Sequence, residues 1–345
     1  MTCVGSTAGC SAVGGPAGGG LTAGMPWGSV GSPGPMGFDI PDRLCPVTHR
    51  VARSVGATLA ACLLAAVVGC SQGNGATDAP PPNAEGPVVE VPSGPEEVCR
   101  VADPRLPEIS GLAASTQHPG ILWTHNDSGD RAQLFALDAL TCEVKAVVRL
   151  RGVDAWDTEA IAVGRDANNK PVLWFGDIGD NTATAASVRL YRLPEPAQIK
   201  DQTVNLAATI TVKYADEPYN AEALLVEPSP EGRIWIVTRR QSAQGAYYEL
   251  PSSAWGSSTT VTVRAVGSVP ALTTDATFAP NGETYALRTY FGATQFNGTP
   301  PGGNSRSIDV GFTGQSEAST YSYDSRLLYT ISEGVNQPLI KVPLP

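Results

Sequence analysis

Between Ile109 and Val342 the apolar residues come in runs of about four to six, each bounded by Gly, Pro, Asn or Asp. No window sustains a helical apolar period over three turns, so the chain reads as all-β. One pattern recurs: an acidic residue opens a short apolar strand, a polar turn follows, and an aromatic strand ends in a polar, often acidic, loop. Its clearest copy runs from Trp156 to Asn181, with Glu159 before Ala160-Ile161-Ala162-Val163 and Trp174-Phe175 before Asp177 and Asp180. Further copies open at Glu108, Glu222, Asp275 and Glu317. Self-similarity at this spacing predicts a β-propeller of four-stranded blades.

Strands are expected at 109–114, 121–125, 133–138 and 144–150 in the first blade, and at 160–163, 172–175, 188–193 and 206–214 in the second. The third takes 223–226, 233–238, 247–250 and 260–266. The fourth has 276–279 and 284–289, while its outer half, 292–310, is Gly-, Pro- and Asn-rich and shows no clear strand. The fifth offers only 318–323, 327–332 and 338–342, and the segment 98–102 can supply its fourth. Closure by an N-terminal strand removes exposed sheet edges, which favours five blades, with six as the alternative.

Composition agrees: 42% apolar residues against 16% charged, with 37 Gly and 29 Pro, suits many short strands joined by turns. At 345 residues the chain can hold one large propeller, expected over 97–345.

The first 96 residues read differently. Residues 1–46 are rich in Gly, Ser, Ala and Pro and are expected to be a disordered leader, with translation starting near Val47 or Val51. His49, Arg50 and Arg53 precede a short apolar run ending Val67-Val68-Gly69-Cys70, so 47–70 resembles a bacterial lipoprotein signal. The resemblance makes Cys70 the lipidated residue and the membrane a partner, with 71–96 a flexible tether. Expected localisation is therefore extracytoplasmic, anchored to the cell membrane. Beyond Cys70 only Cys99 and Cys142 remain, and an isolated pair in an exported chain predicts a disulfide, joining blade one to the closing strand.

Removing three arginines and two aspartates with residues 1–69 leaves 20 basic and 31 acidic groups from the full 23 and 33, a net charge of −11. That balance argues against nucleic acid and for cationic ligands or metal ions. Propeller closure would gather the acids that open inner strands and those that leave second strands around one mouth of the channel. The metal candidates are Asp127, Asp130, Glu159, Asp177, Asp180, Glu222, Asp275 and Glu317, with Glu108 and Glu333 nearby, and Ca2+ is the cofactor that suits clustered oxygens. The structural alternative is that these acids accept backbone N–H groups in Asx turns. Candidate ligand-binding residues are Trp156, His125, Arg239 and Arg288, with Arg240 a further cation; Trp123, Trp174 and Trp235 read as core. No nucleophile motif stands out.

The runs Pro107-Glu108-Ile109-Ser110-Gly111-Leu112, Trp123 to Asp130, Gly176 to Asn181 and Ser332-Glu333-Gly334 resemble those of uncharacterised secreted bacterial β-propellers, distantly similar to phytase-like and NHL or YVTN-type propellers. Propeller phytases are six-bladed and hydrolyse phosphoesters with calcium held by acidic residues. Two functions are thus expected: a binding or scaffold module for a protein, glycan or small molecule, or a calcium-dependent phosphoesterase-like hydrolase.

Overall fold

The computed structural model describes residues 94–311 and 314–345. The leader, the signal-like segment, Cys70 and most of the tether lie outside the described residues.

The described residues form a five-bladed β-propeller, each blade an antiparallel sheet of four strands. Blade 1 comprises Ile109–Ala114, Ile121–Asn126, Gln133–Asp138 and Val144–Leu150, from the channel outward. Blade 2 comprises Thr158–Arg165, Pro171–Asp177, Val188–Pro194 and Ala208–Tyr214. Blade 3 has Ala221–Val226, Ile234–Thr238, Gly245–Glu249 and Ala265–Val269; blade 4 has Thr273–Phe278, Thr284–Thr289, Gly292–Asn297 and Ser305–Ile308. Blade 5 has Ser316–Tyr321, Leu327–Ser332 and Gln337–Pro343, and its outer strand is the N-terminal Glu96–Val101, antiparallel to Gln337–Pro343.

Two expectations need correction. The outer strand of blade 3 is Ala265–Val269, while Thr259–Val263 pairs in parallel with Ala208–Tyr214 as a fifth strand of blade 2's sheet. The alternation explains it: Val261 and Val263 are buried between blades 2 and 3 beside Ala254 and Trp255, and their intervening threonines face outward. The Gly-rich 292–310 also holds two real strands, whose pairing with blade 4 rather than local propensity forms them. A short strand, Gln202–Val204, extends blade 1 in parallel.

Hydrophobic packing lies between blades. Ala160 and Ala162 face blade 3 whereas Ile161 and Val163 face blade 1, so one strand feeds two cores. This is why the inner strands read as continuous apolar runs rather than alternating ones. Trp123, Trp174 and Trp235 are each 0% exposed, one in each of blades 1, 2 and 3, as large aromatics filling the gap between sheets. Cys99 and Cys142 form a disulfide with Cα atoms 5.7 Å apart, tying the closing strand to blade 1.

Candidate functional site

Each inner strand carries a β-bulge in its first turn of pairing. Register slips between Ile109 and Gly111, Thr158 and Ala160, Ala221 and Ala223, Thr273 and Asp275, and Ser316 and Ala318. The extra residues are therefore Ser110, Glu159, Glu222, Thr274 and Glu317. A bulge adds one residue, bends the strand locally and re-aims a side chain, and here it gives five equivalent positions around one mouth of the channel. Three of them are glutamates.

This register places two expected acids elsewhere. Glu108 stands two residues before the bulge and is exposed. Asp275 stands one residue after it, 1% exposed, where its carboxylate accepts Ser319 N–H and, at 2.7 Å, Ala276 N–H. It thereby satisfies the free edge of blade 5's inner strand, and burial pushes its pKa well up.

A polar cavity of about 160 Å³ opens at the mouth, lined by Ser110, Asp127, Glu159, Glu222, Glu317 and Glu333, with Arg239, Tyr290, Asn181 and Gln315. Asp127 arrives from the exit of blade 1's second strand. Thr158 Oγ1 donates to Asn126 O at 2.8 Å, which fixes that exit against the entrance of blade 2's inner strand. Asp127, Asp157 and Glu159 consequently bring one carboxylate oxygen each within 4.8 Å of one another. Asp157 was not among the expected residues; its signal is the spacing Asp-Thr-Glu, which sets two acids on either side of the strand's first pair.

The cluster is electrostatically costly. Burial, then the charge of Asp127, raises Asp157 to about 6. Glu159 lies well above the usual range, through burial first and Glu222 next, although Ser110 Oγ donates to it at 2.9 Å. Burial lifts Glu222 to about 8 against the pull of Arg239, 3.0 Å away, and lifts Glu317 to about 7. Arg239 also donates to Tyr290 Oη at 3.0 Å.

The other expected residues have different surroundings. Asp177 accepts the N–H groups of Trp156 and Asp157 at 3.0 and 2.9 Å, so it holds the turn that presents them. Asp180 accepts Ala185 N–H at 2.7 Å, and Asp130 accepts Asn126 Nδ2 at 2.9 Å; both fasten their own loops. Trp156 is 82% exposed and borders an adjoining groove with Asp157, Asn181 and Arg189. Arg240 is exposed on a second groove beyond Asn181. Arg288 is 1% exposed, donating to Thr330 Oγ1 and Thr289 O at 3.2 and 2.6 Å, and does not line the mouth. Burial lowers its pKa to about 10.

His125 is likewise buried, edge-on to Phe175 at 5.0 Å. Its Nδ1 lies 2.9 Å from Asn126 O and so carries the proton, and burial lowers its pKa to about 4. Its Nε2 abuts Gly111, where a Cβ would approach to 2.4 Å, so glycine at that position makes room for the imidazole.

No protein-family model matches this sequence, and no curated protein does.

Proposed function

We propose that this propeller is an extracytoplasmic, lipid-anchored binding module of the secreted bacterial type that its motifs resemble, engaging its ligand through a calcium ion at the acidic mouth. The observation that carries this reading is the convergence of Asp127, Asp157 and Glu159 oxygens within 4.8 Å. Calcium takes carboxylate oxygens at about 2.3–2.6 Å, so oxygens on one ion sit up to about 5 Å apart, and the donor set is hard and anionic as calcium prefers. A cation there would offset the burial, and then the mutual repulsion, that raise Asp157 and Glu159. Trp156, exposed at 82% beside Asp157, offers a face to whatever the ion binds.

The hydrolase reading has less support. Arg288 is buried away from the cavity, and the guanidinium of Arg239, the only basic side chain lining it among the described residues, already serves Glu222 and Tyr290. An anionic phosphoester would meet five carboxylates at this mouth.

Calorimetric titration of the chelator-treated protein with CaCl2 tests the site. One ion per chain is expected, with Kd of about 10⁻⁴ to 10⁻³ M as in extracellular modules, and no heat in the D157N/E159Q double variant. Absence of binding at about 10 mM, or undiminished binding in the variant, overturns the proposal.

Anchoring rests on Cys70 at the end of Val67-Val68-Gly69. Labelled palmitate is expected to enter the protein expressed in a bacterial host and to be absent from C70S; equal labelling of both removes the anchor from the reading.

A further inference from the structure

The inner strands run from the acidic mouth to the opposite end of the channel, and there the chemistry reverses. A second cavity of about 310 Å³ is walled by residues from all five blades, among them Ala114, Val163, Leu224, Thr277, Phe278 and Tyr321. Its lining includes two charged residues of opposite sign, Arg165 and Asp324, each hydrogen-bonded within its own hairpin. Arg165 donates to Asn169 O in its own hairpin at 3.2 Å, and Asp324 accepts Ser322 Oγ at 2.6 Å with its carboxylate 58% exposed. A strand edge that would otherwise offer a free donor is also satisfied, since Ala114 N–H donates to Thr320 Oγ1 at 3.0 Å.

We propose that this lower cavity is a binding site for a neutral, largely apolar small molecule carrying about two rings. Three properties select that occupant. The Ala, Val, Leu and Phe side chains of these walls give water no hydrogen bonds, so an apolar body displaces what lies against them at a gain, beside the hydroxyls of Thr277 and Thr320. Arg165 and Asp324 are opposite in sign and engaged within their own hairpins, so the wall offers no net charge to compensate the desolvation of an ion. Size sets the upper limit: an apolar cavity of about 150 Å³ accepts benzene, so about 310 Å³ takes two fused or linked rings but not a polypeptide helix, about 10 Å across. Convergence of five strands makes the site preformed, as small-molecule sites usually are. The site is independent of the acidic mouth and stands whether or not calcium binds there.

The probe is N-phenyl-1-naphthylamine, neutral and fluorescent in apolar surroundings. Titrated into the full chain, it is expected to saturate at one molecule per chain. T277F and A114F each add a ring at a half-buried lining position, and are expected to weaken binding by at least about tenfold, the ligand and the new side chain competing for one volume. Melting curves report whether each variant is folded. Crystals of the wild-type protein soaked with bromobenzene provide a readout that needs no variant: the bromine anomalous peak is expected among Leu224, Thr277 and Phe278. Non-saturable fluorescence, undiminished binding in folded filled variants, or a bromine peak away from these residues overturns the proposal.

Discussion

In chelator, the melting temperature is expected to fall by on the order of 10 °C between about pH 6.5 and about pH 8.5, and millimolar calcium to restore it at the higher pH. Glu222 at about 8, Glu317 at about 7 and Glu159 well above its ordinary value retain protons in the folded state. A solvated glutamate has released its proton by about pH 5. The folded state therefore binds more protons than the unfolded one in this window. The stability these groups contribute is complete below about pH 4.5 and is lost as the pH rises through 7 and 8. Each group crossing one pH unit in this way costs about 1.4 kcal/mol, and a domain of this size moves about 2–4 °C per kcal/mol.

His125, lowered to about 4, works in the opposite sense, adding stability as the pH rises towards about 6.5 and nothing beyond. The window starts there for that reason. Calcium requires ionised ligands, so its stabilising increment should grow with pH. E159Q should melt higher than wild type in chelator at about pH 8.5 and lose the calcium response, because the glutamine keeps the hydrogen bond of Ser110 without the buried charge. A melting temperature that is flat or rises across the window would show that these carboxylates are already relieved within the fold. Such a cost at the mouth fits a site where stability is given up for binding.

Loss of the Cys99–Cys142 bridge is expected to cost about 4 kcal/mol, from loop-closure entropy over the separation of 43 residues. The effect should concentrate at ring closure. Glu96–Val101 is held to blade 5 by backbone pairing and by the Glu96–Lys341 ion pair at 3.2 Å, and to blade 1 by the connecting segment 102–108 and this disulfide. C99S/C142S should melt roughly 10 °C lower and be cut first by protease near the N-terminal strand, which leaves Gln337–Pro343 with an open edge. Unchanged melting, or first cleavage in another blade, would locate the weakest element elsewhere.

The blade count, the closing strand, the disulfide and the three core tryptophans are determined by the sequence alone. Each rests on local signals: short apolar runs, turn residues, and a tryptophan repeated at the same place in the motif. Chain order converts these into a ring, since a propeller's strands pair with their neighbours in sequence. The exchange of Thr259–Val263 into blade 2 escapes such reasoning because it pairs a strand with one about fifty residues earlier, past three strands of blade 3.

The site needed the tertiary structure. Five acids open the five copies of the motif alike, yet only Glu159, Glu222 and Glu317 occupy the bulge; Ser110 and Thr274 hold the other two positions. A slip of one residue turns a side chain to the opposite side of a strand, and the slip is set by hydrogen bonds to the neighbouring strand, which no local pattern encodes. The same cause put Asp275 under blade 5 and Asp157 beside Asp127. Burial likewise decides between neighbours in sequence: Arg288 is sealed beneath Thr330, while Arg239 and Tyr290 reach the cavity. Pattern fixes most of the strands; packing between strands fixes the remaining ones and which side chains meet.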